Sequence, residues 1–159
     1  PVPWPCVWRT PRSYQGFHSG IALAYHPQEG TLALFTPYGH GAFTDTSKIP
    51  TLGQTTYRGT AFNATEEGDF IYNIDFGTKT GSGQIHGLNR YGTITLEQLS
   101  LDPALAHART GIAHAAHGQQ FTYQIAFAGN DVEEMVGVGI DSSSGDAFGF
   151  HGTRDALAE

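Results

Sequence analysis

The chain has 159 residues, 21 glycines, 12% aromatic residues, only 14% charged residues and a net charge of −7 with histidine neutral. Its eight Lys and Arg are scattered, which leaves no basic footprint for nucleic acid or an anionic membrane surface. The single cysteine, Cys6, excludes an intrachain disulfide, and no apolar run reaches the ~18 residues of a spanning helix, so membrane insertion is not expected.

Many turns, many aromatics and few charges describe a hairpin-rich β protein of one domain, or one domain with a small appendage. The start at Pro1 reads as that of a mature or trimmed chain. Residues 1–17 carry Pro1, Pro3, Pro5 and Pro11, which exclude a helix and break a ladder, so this stretch is expected to be irregular. Ile21 to Tyr25 alternates, Pro27-Gln28-Glu29-Gly30 turns, and Thr31 to Thr36 returns as a hairpin. Residues 37–56 then read as a long loop.

From Tyr57 the pattern becomes regular. Strands are expected over 57–63, 70–76, 83–88, 93–101, 111–117, 120–127, 134–140 and 146–152, with a helical turn over 102–110 capped by Asp102. Phe70, Tyr72, Ile74 and Phe76 share one face, as do Phe121, Tyr123, Ile125 and Phe127. Eight strands enclose an interior that side chains fill. The expected fold is all-β: an eight-stranded antiparallel up-and-down barrel over residues 56–159, preceded by an N-terminal β-hairpin unit over residues 1–55.

Four segments carry a family likeness: Tyr57–Ala61, Asp75–Ile85, Asn130–Gly137 and Phe148–Arg154. In that order they resemble the barrel of bacterial transferrin-binding protein B lobes, factor H-binding protein and the hemophilin hemophores, the last most closely. Each also has a physical reading. The glycines of Asp75–Gly83 permit positive φ in a hairpin, Glu133-Glu134 keeps the start of a strand wet, and Gly149 and Gly152 permit close packing at the closing strand. The resemblance implies export to the cell surface or secretion by a Slam-type translocon. It also implies that the N-terminal unit is a "handle" whose loops grip the ligand.

That points to residues 4–43, which hold three of the eight histidines and many aromatics. A haem b ligand needs a neutral imidazole on iron and apolar rings against the porphyrin. His40, in Tyr38-Gly39-His40-Gly41, is the first candidate, with Tyr38 placed to stack on or hydrogen-bond the haem; without a ligand it is a solvated loop histidine. His26 is an alternative or second iron ligand, His18 a weaker one, and Tyr25 and Phe43 wall the pocket. Arg9, Arg12 or Lys48 would meet the propionates. His114 and His117 point to opposite faces of a strand and make a poor metal pair, while His86, His107 and His151 read as barrel-surface residues.

No catalytic motif is present. The leading expectation is a hemophore that takes haem from host haemoproteins such as haemoglobin and passes it to a TonB-dependent outer-membrane receptor. The alternative is a host-protein-binding surface module of the same barrel family, anchored by Trp4, Trp8 and the 37–50 loop.

Overall fold

The computed structural model describes residues 9–15, 19–26, 30–37, 44, 46–101, 109–141 and 143–156, with the strands before residue 38 described as backbone. Strands β1 (Arg9–Gln15), β2 (Ser19–His26) and β3 (Gly30–Pro37) form an antiparallel sheet with β2 in the centre. Strands β4 (Gln54–Phe62), β5 (Glu67–Asp75), β6 (Thr80–His86), β7 (Ile94–Ser100), β8 (Arg109–Ala115), β9 (Gln120–Ala128), β10 (Glu134–Ile140) and β11 (Ala147–Arg154) follow. Each pairs antiparallel with the next, and β11 returns to β4, so the eight close into the expected up-and-down barrel.

Two expectations change. Residues 9–15 are a strand despite Pro11. β1 is the edge of its sheet among the described residues, and its register slips between Arg9 and Arg12, so the missing N–H of Pro11 breaks no ladder bond. The barrel also begins earlier than Tyr57. Gln54 already pairs with Asp75, and Thr55, buried, extends the inward row of Tyr57. The expected helical turn lies largely outside the described residues, and Arg109 and Thr110 already belong to β8.

The inward rows are the aromatic ones, as the alternation predicts. Phe70 packs on Phe150 with ring centroids 4.9 Å apart, Phe121 on Phe148 at 5.0 Å and Tyr91 on Phe121 at 5.2 Å. Large rings fit because glycines face them. A Cβ on Gly137 would lie 2.0 Å from the Phe150 ring, and one on Gly139 2.2 Å from Phe148. Gly81 and Gly83 likewise make room for Tyr72, and Gly111 for Tyr123. In the β5–β6 turn it is Lys79, not a glycine, that takes positive φ, at 58°. Gly152 does pack closely, against Gly59 on the closing seam.

The buried phenols are hydrogen-bonded. Tyr57 donates to the Val132 carbonyl at 2.5 Å, and Tyr123 donates to the Glu97 carbonyl. With its proton so engaged, Tyr123 accepts from Tyr72, whose hydroxyl lies 3.0 Å away. Glu97 sits just past Ile94–Leu96, the stretch of β7 that is in register with β8, so this phenol bonds a carbonyl where the ladder has stopped.

Burial pushes Tyr91 and Tyr123 up to about 12, and pushes Tyr57 and Tyr72 up further still. In the unfolded chain tyrosine ionises near ~10. The stabilisation from these neutral phenols is therefore fully present below pH ~10 and is lost as pH rises through the folded values. In a base titration, the ionisation of these four phenols should coincide with the loss of the β circular dichroism between pH ~10 and ~12. Gradual ionisation of all seven tyrosines with the β signal intact would contradict this packing.

Candidate functional site

With the barrel filled by rings, the surfaces left for a ligand are its outer wall, its two ends and the handle sheet. The outer wall has two unlike halves. On β4 to β8 most outward positions are polar, and Arg58, Asp69, Asn73, Gln84, Thr95 and His114 are exposed, with Ile71 and Ile112 as apolar exceptions. On β9 to β11 the outward Gln120, Thr122, Gln124 and Thr153 stay exposed, but Ala126, Ala128, Val136, Val138 and Ala147 form an apolar outward patch, none more than 6% exposed, and Phe62 at the end of β4 is fully buried beside them. Here β2 and β3 pass within 8 Å of β10 and β11, Cα to Cα. The handle sheet sits on this apolar half.

Two charged-type residues lie in the same seam. His151 Nε2 is 2.9 Å from Glu134 Oε1, with the side chains 10% and 3% exposed. This corrects two expectations: Glu134 does not start its strand in water, and His151 is not a barrel-surface residue. Both point out of the barrel, but outward positions stay wet only where no second layer covers them. The alanines and valines of this seat escaped the sequence reading. The signal was present in Glu134–Ile140, where only one residue of seven is polar, so the strand does not alternate.

The loop expected to hold the ligand is anchored at both ends. Pro37 closes β3 opposite Ser19. Thr44 donates its N–H to the Phe127 carbonyl at 2.8 Å and its hydroxyl to the Gly129 carbonyl at 2.7 Å, at the end of β9. The adjoining β9–β10 turn holds Val132 at φ 49°, a region that β-branched residues avoid. Its neighbours enforce that conformation. Tyr57 bonds the Val132 carbonyl, while Arg154 bonds the Asp131 carbonyl at 3.0 Å and its carboxylate at 2.8 Å.

At the opposite end of the barrel, the Glu66 carboxylate accepts the N–H groups of Asn89 and Arg90 at 2.7 and 3.0 Å. The Arg90 backbone donor, then the Asn63 amide, hold this carboxyl below its usual range. Arg90 also pairs with Asp146 at 3.0 Å, tying three turns together.

His18, Tyr38, His40 and Phe43 lie outside the described residues. His26 and Tyr25 are on β2, His26 opposite Gly30 at one end, Tyr25 opposite Thr31 and Arg9. Ser19 and Pro37, the sequence neighbours of His18 and Tyr38, pair at the other end of the same strand. His114 pairs with Glu97 at 3.1 Å on the exposed wall, and His117 bonds the Arg90 carbonyl at 3.1 Å. Among the described residues no three His, Cys, Asp or Glu are grouped to hold a metal. A groove of about 810 Å³, lined by Ile71, Asn73, Gln84, Thr95 and Gln98 among others, crosses the exposed wall.

Solved structures share this architecture. A variant of transferrin binding protein B from Actinobacillus pleuropneumoniae H49 aligns with TM-score 0.66 and 12% identity over 93% of this chain and 82% of its own. A second, from Haemophilus parasuis Hp5, aligns with TM-score 0.61 and 16% identity over 87% of this chain. The chain spans about a third of that protein's length, 33%. The N-lobe of lactoferrin binding protein B from Moraxella bovis aligns with TM-score 0.53 and 12% identity, over 91% of this chain and 80% of its own. At these identities the likeness is one of fold. Residues 47–139, more than half of the sequence, match the family described as Factor H binding protein, C-terminal, and the chain belongs to that family.

Proposed function

We propose that the protein is a non-catalytic binding module of the bacterial surface that captures a host protein through the handle and the adjoining end of the barrel. The observation that carries this is the filled interior. Rings occupy the space where a lipocalin-like barrel would hold a small ligand, so recognition falls to the outside. Family membership supports it, as do fold neighbours described as binding transferrin and lactoferrin. Loops on a rigid β scaffold are suited to this role.

Surface plasmon resonance of the immobilised full chain against transferrin, lactoferrin and factor H tests the reading. Saturable binding to one of the three is expected, weakened at least ~10-fold (about 1.4 kcal/mol) when residues 38–43 become a Gly/Ser linker of equal length. No binding to any of the three sinks it.

The histidines and aromatics of residues 4–43 favour a second reading, the haem b hemophore, with His40 on iron, His26 as alternative or partner, and Tyr38, His18, Tyr25 and Phe43 around the porphyrin. It would draw haem from a haemoprotein such as haemoglobin and pass it to a TonB-dependent receptor after Slam-type export. Hemin titration gives the check. A Soret shift is expected, lost in His40→Ala or His26→Ala, and no shift in the parent protein ends this reading.

A further inference from the structure

Opposite the handle, the barrel wall has a different chemistry. Around the closed barrel β6 lies four strands from β10, and β7 four from β11, so the wall they form faces away from the handle seat. Strands β6 to β9 carry one acid, Glu97, and one cation, Arg109, which is in register with the inward Ile125. In a chain with 15 acids and eight Lys and Arg, that leaves an almost uncharged wall. Every aromatic ring of β5 to β9 is buried. Among the described residues this wall therefore lacks the exposed aromatic, Met or Arg side chains that anchor a protein partner.

The groove of about 810 Å³ crosses this wall at a built irregularity. Gly81 pairs with Leu99 and Gly83 with Leu96, so Ser82 stands opposite two residues, Glu97 and Gln98, both exposed. The bulge is held from inside and outside. Tyr123 donates to the Glu97 carbonyl from the core, and His114 Nε2 lies 3.1 Å from the Glu97 carboxylate. The side chains of Ser82, Gln84, Thr95 and Gln98 make no hydrogen bond among the described residues. The Asn73 amide uses only its oxygen, which accepts from Thr56 at 2.8 Å. Ile71, half-buried, gives the groove an apolar surface.

We infer that this groove binds a neutral oligosaccharide. Amides and hydroxyls donate and accept, as sugar hydroxyls do, and the Glu97 carboxylate can accept from two adjacent hydroxyls. A neutral polyol brings no ion that must be desolvated, whereas an anionic sugar would meet Glu97 with no Lys or Arg in the groove. The volume lies within the range of small-ligand sites, ~300–1,000 Å³. With no ring to stack on and the groove open to solvent, binding is weak, with Kd on the order of 1 mM. The site is independent of the protein-binding reading, which puts the partner at the handle on the far side.

The probes are maltotriose and N-acetyllactosamine, with sialyllactose as the charged comparison. Amide chemical shifts of the full chain are followed during titration. At least one of the two neutral sugars should move the amides of residues 71–73, 82–84 and 95–98 and leave the handle strands in place. Gln84→Ala and Gln98→Ala should each weaken that binding ~3- to 10-fold. Both variants should melt with the parent, because both side chains are exposed. Replacing residues 38–43 by the Gly/Ser linker should change nothing. No shift with either neutral sugar well above ~1 mM overturns the proposal. So do shifts confined to the handle, tighter binding of sialyllactose, or an affinity that survives both substitutions. A polypeptide occupant would show differently: transferrin, lactoferrin or factor H would perturb these wall amides while the sugars do not, and the proposal falls. If none of the three proteins binds, the protein-binding reading fails and the sugar titration still decides the groove.

Discussion

Gly59→Ala is expected to lower the melting temperature by ~6–12 °C. Gly59 and Gly152 face each other across the seam where β4 meets β11 and the barrel closes. A Cβ on Gly59 would sit 2.1 Å from the His151 carbonyl oxygen and 2.6 Å from the Gly152 Cα. Both are backbone atoms held in the ladder, so neither can swing aside as the end of a side chain does. Relief requires the two strands to separate where closure depends on them. We assign this the upper end of the overpacking range, about 3 kcal/mol. At ~2–4 °C per kcal/mol for a chain of this size, the shift follows. Gly77→Ala is the control. Its Cβ would meet only the Asp75 carboxylate, at 3.1 Å, so its cost should stay within ~0.5 kcal/mol. Thermal denaturation by circular dichroism reads both. A Gly59→Ala protein melting within ~2 °C of the parent would show that the strands can part there at little cost.

The second large effect is expected at the handle seat. Ala126 points out of the barrel on β9, is 1% exposed, and lies opposite Val136 of β10, a strand that the handle sheet approaches, with Glu134 on the same face. Ala126→Asp places a carboxylate in that apolar layer near an existing acid. Burying an unpaired charge costs several kcal/mol. The protein has a cheaper escape than unfolding, because lifting the handle sheet off the wall hydrates the new charge. Amides of Ser19–His26 and Gly30–Pro37 should then exchange ~100-fold faster, the equivalent of about 2.7 kcal/mol of docking. The barrel's own melting should barely change, since its aromatic core is untouched. Gln124→Asp, two residues back on the same face and exposed, should leave exchange as it was. Unaltered exchange in Ala126→Asp would mean that the handle does not rest on this half of the wall.

The barrel itself was legible in the sequence because strand alternation is a local property. Phe70 to Phe76 and Phe121 to Phe127 each state their inward face within seven residues, and turns separate the strands at short intervals. Other features depended on strands far away in the chain. Pro11 can sit in a strand only because β1 has a neighbour on one side alone, which no local pattern records. Gly137 and Gly139 are small because Phe150 and Phe148 arrive from β11, and Gly111 because Tyr123 crosses from β9.

The candidate site divides in the same way. Residue types in 4–43 were sufficient to mark that stretch as the ligand-seeking part, since histidines and rings state their chemistry wherever they lie. Their geometry was not stated. Strand register alone puts Ser19 and Pro37 at one end of the handle sheet and His26 at the other. The covered half of the wall is the clearest case. Glu134 and His151 each read as solvated, and each side chain does point away from the barrel core. Solvation, however, belongs to the space a residue faces. That space was filled by a second sheet, formed from the far N-terminal part of the chain, Arg9 to Pro37.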